Sequence, residues 1–426
     1  MKIIRILLWI ILFFDFLLAL KTIMTIPLKK HYLKKLEKVK TKKYPNIYVL
    51  LPALKEQPIV SETIDWFSKI KYQGNIKYII VTTEREEAEY KKNNIKDKTT
   101  SMLVDEVLKQ KKNDSFMHLH YPQTEGNKSS QLNYAVEQII KTEKDLDNTY
   151  ISVFDFDSKP DLNTFELLSK VYTLKDSPDV IQQVPLSFKN IPLLSNGLLI
   201  LSALHQTIRS CGIEKFRLLM SSLFKIRLPQ YCMGACMHIK LSTLIKNDKF
   251  PIFVDDLTLG YRLTINKARF AYLPSYNYVL IPNKLSHCFN SSVLIFKGVL
   301  TSFSEIKRVK NNLSGKLLIL YEGVTNVLKL TLIPYTIILY YLYTIITGSY
   351  DLLFYLLLLL PYLWSLSAII VMNSHKIKVN KLTLFMGVLC SPIWLLFRTF
   401  GALIYYKRYF MSKVFKRQII YRKTER

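Results

Sequence analysis

The chain has 426 residues, 60 Lys+Arg against 32 Asp+Glu, a formal net charge of +28, and an apolar fraction of 50%. That hydrophobicity excludes a disordered chain. Five cysteines, an odd number spread from Cys211 to Cys390, exclude a small disulfide-stapled scaffold.

The apolar residues are unevenly spread. Residues 6–26 (ILLWIILFFDFLLALKTIMTI) are long enough to cross a bilayer and lack a small-x-small cleavage site, so 1–27 reads as an uncleaved anchor. Residues 27–43 hold eight Lys and one Glu. From residue 44 the pattern becomes that of an α/β domain, 44–300. Strands are predicted at 46–54, 76–83, 116–122, 149–157 and 179–188, with helical spacing at 59–70 and 129–142. Alternating strands and helices imply a mainly parallel sheet covered by helices, with ligands beyond the carboxyl ends of the strands. Residues 191–229 read as amphipathic helix, and 301–326 as an interfacial helical region.

A C-terminal membrane region, 327–406, follows with apolar runs at 327–346, 352–372 and 382–406, and then a basic tail, 407–426, with eight Lys/Arg and one Glu. Basic loops stay in the cytoplasm. The expectation is a multi-pass plasma-membrane protein with its central domain cytoplasmic. Three full C-terminal crossings would leave the tail outside, so the run 382–406, interrupted by Ser391-Pro392 and Arg398, is expected to be a re-entrant hairpin or an interfacial pair. Juxtamembrane basic charge suits anionic lipid. No helix-turn-helix, zinc-finger or RNA-recognition pattern accompanies it, so no nucleic-acid partner is expected.

Two acidic motifs carry chemistry. Alternation along an extended chain would aim Asp155 and Asp157 of Asp155-Phe156-Asp157 the same way. Two such carboxylates invite a hard divalent cation, Mg²⁺ or Mn²⁺, with a substrate diphosphate; a solvated strand end is the plain alternative. Asp255-Asp256 opens a helical stretch, where acids suit the dipole or supply a general base with an orienting neighbour. Between them, Glu125-Gly126-Asn127-Lys128 is a polar turn whose lysine could meet a phosphate, and Met233-Gly234-Ala235-Cys236 permits close approach of a backbone or ligand. Cys232-x-x-x-Cys236 is not a convincing zinc spacing, and His118 and His120, alternating on a strand, read as structural.

The ordered set Pro52…Glu56, EGNKSSQLNYA (125–135), FDFDSKP (154–160), QQVP (182–185), MGACMHIK (233–240) and VDDLTLGYRL (254–263), followed by apolar spans, resembles the membrane-bound family 2 glycosyltransferases over about residues 45–300. The resemblance implies a GT-A fold and inverting transfer of a sugar from a nucleotide diphosphate sugar. It implies that Asp155 and Asp157 hold the metal and donor diphosphate, that Asp256 is the base with Asp255 beside it, that Glu56 and Lys128 lie along the donor, and that Gln182 or Gln183 and Gly234 shape the acceptor side. A base in that role is expected to have a raised pKa at Asp256.

There are departures. The acidic pair usual at the end of the second strand is replaced by Thr82-Thr83-Glu84, leaving Glu84 as its stand-in, and the Glu usual before the catalytic Asp is Asp255. Where processive members carry Gln-x-x-Arg-Trp, the frame reads Ser291-Ser292-Val293-Leu294-Ile295. A non-processive enzyme acting on a lipid-linked or glycan acceptor, in capsule, exopolysaccharide or cell-wall synthesis, is therefore expected. A processive synthase and a catalytically inactive scaffold of the same fold are the alternatives.

Overall fold

The computed structural model describes residues 2–414 apart from 188–190, 192–193, 195, 253, 282–283, 310–311 and 376–378; the side chains of 394–398 also lie outside the described residues. The basic tail beyond 414, Lys376 and Lys378 of the basic loop, and the Arg398 side chain thus fall outside them.

The elements begin with α1 (Lys2–Glu37), β1 (Asn46–Pro52), α2 (Val60–Ser68), β2 (Ile76–Thr83), α3 (Glu84–Lys92), α4 (Thr100–Lys111), β3 (Phe116–Tyr121), α5 (Lys128–Thr142) and β4 (Thr149–Phe154). There follow β5 (Lys159–Pro160), α6 (Thr164–Leu174), β6 (Val180–Leu186), α7 (Gly197–Thr207), α8 (Lys215–Phe224), β7 (Cys236–Lys240), α9 (Leu241–Lys246), α10 (Asp255–Ile265) and β8 (Phe270–Tyr278). The last helices are α11 (Leu285–Arg308), α12 (Leu313–Leu330), α13 (Leu332–Thr347), α14 (Leu352–Ser374), α15 (Lys381–Leu389) and α16 (Trp394–Val414). The chain divides into two compact units, one of Met1–Lys29, Leu186–Arg217 and Leu280–Arg426, the other of Lys30–Pro185 and Leu218–Val279.

The second unit has the expected α/β fold, although the span 44–300 also takes in residues 186–217 and 280–300, which group with the first unit. Its eight strands form one mixed, mainly parallel sheet in the order β3-β2-β1-β4-β7-β6-β8-β5. Strands β3, β2, β1 and β4 are parallel neighbours. A strand covered on both faces must be apolar on both, and in β1 Val49, Leu50 and Leu51 are all 0% exposed. Full burial of each such side chain is worth about 1.5–3 kcal/mol. Because the register pairs Pro52 with Val81, Thr83 with Tyr121 and Leu50 with Val153, the carboxyl ends of these strands lie along one edge.

Strand β7 escapes the sequence pattern. It runs antiparallel between β4 and β6, with Cys236 opposite Phe154 and Met237 opposite Gln182. Its five residues are all buried and include His238 and Lys240, so no alternation marks it. Its direction has a consequence: β7 enters the sheet at the edge where β4 leaves it.

Strand β4 also stops earlier than expected. It ends at Phe154, and Ser158 N–H donates to Asp155 C=O at 2.9 Å, closing a turn over Asp155-Phe156-Asp157. The two aspartates therefore do not alternate along an extended strand. Phe156, 2% exposed, anchors the turn between them.

The first unit is helical. Helices α1, α14, and the pair α12–α13 taken together are long and apolar enough to cross a membrane. Leu8 and Ile11 of α1 pack with Ile337 and Tyr340 of α13 and with Leu353, Phe354 and Leu357 of α14. Apolar side chains also cover the outside, Ile6, Phe13, Leu339, Ile346 and Leu359 among them. The 382–406 run is interrupted as expected: α15 stops at Leu389 and a short turn, Ser391–Ile393, separates it from α16. The 327–346 run instead straddles a break at Thr331 between α12 and α13. Helix α7 continues through a π-helical turn, Ile208–Glu214, into α8.

Inside this unit Arg217 makes a bidentate pair with Glu322, at 2.9 and 2.7 Å, with side chains 17% and 4% exposed. Removing one partner of a buried pair strands the other charge. Arg217→Met is expected to cost about 3–5 kcal/mol, and Arg217→Met with Glu322→Leu to recover most of it. Thermal denaturation of the detergent-solubilised protein measures both; a single variant as stable as wild type would show that the pair is dispensable.

Candidate active site

Segments distant in sequence meet at the carboxyl edge of β4, within the α/β unit. Lys128 opens α5. Asn127 caps that helix, accepting from Ser130 N–H while Ser130 Oγ accepts from Asn127 N–H. Gly126 before it has φ +135°, which excludes an ordinary side chain there. Lys128 Nζ donates to Asp155 Oδ1 at 2.6 Å and to Gly234 C=O at 3.0 Å. Gly234 N–H in turn donates to Asp256 Oδ2 at 3.1 Å. The geometry thus joins Lys128, Asp155, Gly234 and Asp256 in one run of contacts.

Each partner is held from behind. A Cβ on Gly234 would lie 3.2 Å from Asp256 Oδ2, so the small residue lets the carboxylate come close. A Cβ on Gly260 would drive into the backbone of Tyr231 and Cys232, so α10 and the 231–236 segment can cross only through a glycine. Gln182 Nε2 donates to Cys236 C=O at 2.7 Å, and its Oε1 accepts from Met233 N–H at 3.1 Å. Asn277 Nδ2 donates to Ala235 C=O at 2.7 Å. Gln182 and Gln183 are both 0% exposed. They brace the Gly234 segment and β8 rather than presenting a surface, Gln183 through Ser275 Oγ at 3.0 Å.

The first turns of α5 do more than the sequence suggested. Gln131 Nε2 donates to Ala53 C=O at 3.0 Å and Val81 C=O at 2.8 Å, tying the ends of β1 and β2. Asn133 exchanges two hydrogen bonds with the Phe250 backbone, at 2.8 and 2.9 Å, and Asn127 Nδ2 donates to Ile252 C=O. These hold the loop leading into α10. Val254, the residue before Asp255, has φ 46° and ψ 59°. That conformation is strained for a β-branched side chain and persists only where its surroundings impose it.

The charges explain the arrangement. Burial disfavours the Lys128 ammonium, but Asp155, Asp255 and Asp256 outweigh it and hold its pKa above the ordinary lysine value. Asp255 is pushed up from 3.8 to about 6, first by burial and then by Asp256 and Asp155, with Lys128 opposing. The raised carboxyl expected at Asp256 is instead Asp255. Its Oδ2 is buried and has no hydrogen-bond partner among the described residues. Asp256 is instead oriented by two backbone N–H groups, those of Gly234 and of Leu257 at 2.7 Å. Three carboxylates around one ammonium, one with an orphaned oxygen, carry the oxygen chemistry of a hard divalent cation site, though among the described residues only Glu84, Glu87 and His120 bring three ligand atoms close enough together to share one ion. Asp157 sits half-buried in the same turn as Asp155.

Glu56 is half-buried in the loop after β1, and its N–H donates to Thr100 Oγ1 at 3.0 Å. That loop is held by Glu86, 2% exposed, which accepts from Lys55 N–H, Gln57 Nε2 and Thr100 N–H at 2.7–2.8 Å. Glu84 belongs to a separate polar chain that also takes in both histidines. Asp105 Oδ1, His118, Thr82 Oγ1, His120 and Glu84 Oε2 follow one another at 2.7, 2.7, 2.9 and 3.0 Å. Glu84, Glu87 and His120 could together hold a metal ion. Cys232 and Cys236 are buried and not disulfide-bonded, and the Cys236 thiol donates to Gln183 C=O at 3.3 Å.

No protein-family model matches the chain, and no curated protein does. Among solved structures it is similar to the mannosyltransferase PcManGT from Pyrobaculum calidifontis in complex with GDP-Man and Mn²⁺, at 12% identity and TM-score 0.49, over 95% of this chain and 100% of that one. It is similar to S. aureus TarS 1-349 at 14% identity and TM-score 0.41, over 88% and 93%. A third is glucosyl-3-phosphoglycerate synthase from Mycobacterium tuberculosis with Mn²⁺, UDP and phosphoglyceric acid, at 12% identity and TM-score 0.35, over 61% and 78%. Likeness at these values concerns the path of the chain; function has to be read from the side chains.

The Asp255 carboxyl makes a prediction with a definite sign. Its folded pKa lies above the unfolded one, so the folded state binds more protons between about pH 4 and 6, and stability falls as pH rises through that window. Asp255→Asn is expected to raise the melting temperature at pH 7.5 and to leave it nearly unchanged at pH 4. Melting curves across that range, recorded with chelator, check this; a gain independent of pH would contradict it.

Proposed function

We propose that the chain is a membrane-associated, metal-dependent inverting glycosyltransferase of the GT-A type. It moves a sugar from a nucleotide diphosphate sugar to a lipid-linked or glycan acceptor at the cytoplasmic face of the plasma membrane, adding one sugar or few, in capsule, exopolysaccharide or cell-wall synthesis. The observation that carries this is the run of contacts from Asp155 through Lys128 and Gly234 to Asp256. It sets a cation-binding acid and a backbone-oriented carboxylate on either side of one small-residue segment, at the strand edge where α/β sheets bind ligands.

The chemistry assigns each residue a task. In an inverting transfer the acceptor oxygen attacks the anomeric carbon while the bond to the diphosphate oxygen breaks. The acceptor proton passes to Asp256, whose two backbone hydrogen bonds fix its orientation, and the nucleoside diphosphate departs with the bonding electrons. Asp155 and Asp157 would hold Mg²⁺ or Mn²⁺, which supplies positive charge for the departing diphosphate. Lys128, already beside Asp155, adds a second positive charge at that point. Gly234 leaves room for the acceptor next to Asp256, and Asp255 sets the charge around it. Glu56 lies along the donor, and Glu84, at the end of β2, faces the nucleoside.

The test is release of nucleoside diphosphate by the full-length, detergent-purified protein, offered UDP-, GDP- and dTDP-sugars with Mg²⁺ or Mn²⁺ and a lipid extract as acceptor source. Turnover with one donor, abolished by chelation, is expected. Asp256→Asn should lower it about 100-fold or more while donor binding persists. A fully active Asp256→Asn enzyme would remove Asp256 from this role. No binding of any donor would favour the inactive scaffold, and long products would favour a processive synthase.

A further inference from the structure

In the helical unit, Lys215 opens α8 with its side chain only 1% exposed. Among the described residues, no hydrogen bond or ion pair reaches its ammonium. Lysines are almost never fully buried unless paired, because desolvating the charge is costly.

Nearby stand a second lysine, Lys29, and a histidine that burial keeps uncharged, His375. Helix α1 passes directly over the π-helical turn, since a Cβ on Gly212 would collide with the Thr22 hydroxyl. Lys29 lies seven residues beyond Thr22, two turns along the same face of α1, and Lys215 three residues beyond Gly212. Helix α14 packs against the same π-helical turn and ends in its cap residue His375. Burial lowers the pKa of Lys215. Burial pushes His375 down to about 3, and Lys215 and Lys29 push it further. The acid nearest in sequence, Glu214, is 5% exposed and already pairs with Arg209 at 3.0 Å, while Arg217 is taken by Glu322. The place is also telling. Between Ile6 and Ile26 helix α1 carries only Asp15 and Lys21 as charges, and Lys29, Lys30, Lys34 and Lys35 follow, so Lys29 stands where an apolar run gives way to a basic one.

We propose that Lys215, Lys29 and His375 form a seat for the phosphate of a lipid at the bilayer boundary. A phosphate brings several acceptor oxygens and enough negative charge to pair with the Lys215 ammonium. An anionic phospholipid and a phosphate-linked lipid acceptor carry the same chemistry. The seat does not depend on which reaction the α/β unit performs, and its test reads binding rather than turnover.

The full-length protein in detergent is titrated with phosphatidic acid, a polyprenyl monophosphate, phosphatidylcholine and inorganic phosphate, with thermal stability and apparent affinity as readouts. At least one of the first two should raise the melting temperature of the wild type, and which does so identifies the source. Phosphatidylcholine should not. Lys215→Met is expected to weaken that response by about tenfold or more in affinity, and Lys215→Arg to keep it. Should Lys215→Met fail to fold, Lys29→Gln gives the same comparison at a half-buried position. Equal responses in wild type and the charge-removing variants overturn the proposal. So does the absence of any response to the phosphate lipids, or a response to inorganic phosphate as large as theirs.

Discussion

Three carboxylates can share a partly buried space only if positive charge stands among them, and Lys128 is the charge that does so. Its ammonium touches Asp155 and the Gly234 carbonyl and acts electrostatically on Asp255 and Asp256. Much of the surrounding architecture serves to keep it there. The same opening turns of α5 that carry Lys128 also tie β1 to β2 through Gln131 and hold the approach to α10 through Asn127 and Asn133. The helix is thus a bracket between the ends of β1 and β2 and the segment leading into α10.

The parts of this fold with plain local signals were legible in the sequence. Strands β1, β2 and β4 are runs of Ile, Val, Leu and Tyr, and Asp155, Asp256 and Lys128 stand in motifs with recognisable chemistry. Strand β7 was not legible, because a short strand buried on both faces has no period and His238 and Lys240 disguise it. The turn at Asp155-Phe156-Asp157 was hidden for a similar reason: Phe156 reads as one more strand residue and only tertiary packing makes it a turn anchor. Gln131, Asn133 and Glu86 gave no signal, since an amide or carboxylate that bonds distant backbone looks, in sequence, like one that faces water. The histidines show a milder version of this. Their alternation on β3 was visible, but the bridge between them is Thr82 of another strand, and Glu84 is reached from His120 alone.

The helical unit manages charge differently. The α/β unit gathers acids around one lysine. In the helical unit the buried acids Glu214 and Glu322 pair with arginines, and Lys215 is left beside Lys29 and His375. Arginine is suited to the first task because its planar fork satisfies both carboxylate oxygens together. Lysine, a compact point charge on a flexible stem, can follow a ligand whose position is not fixed by the protein.

The run of contacts at the active site also bears on how the protein comes to be assembled. Lys128 reaches 27 residues forward to Asp155 but 106 residues to Gly234. Closing long loops is entropically slow, and non-local contacts follow local ones. During synthesis the parallel half of the sheet, with Lys128 and Asp155, emerges well before β7 and α10. A nascent chain would hold Asp155 and Lys128 while lacking Gly234 and Asp256. The order of the chain thus leaves the run of contacts open until the antiparallel strand and α10 have been added.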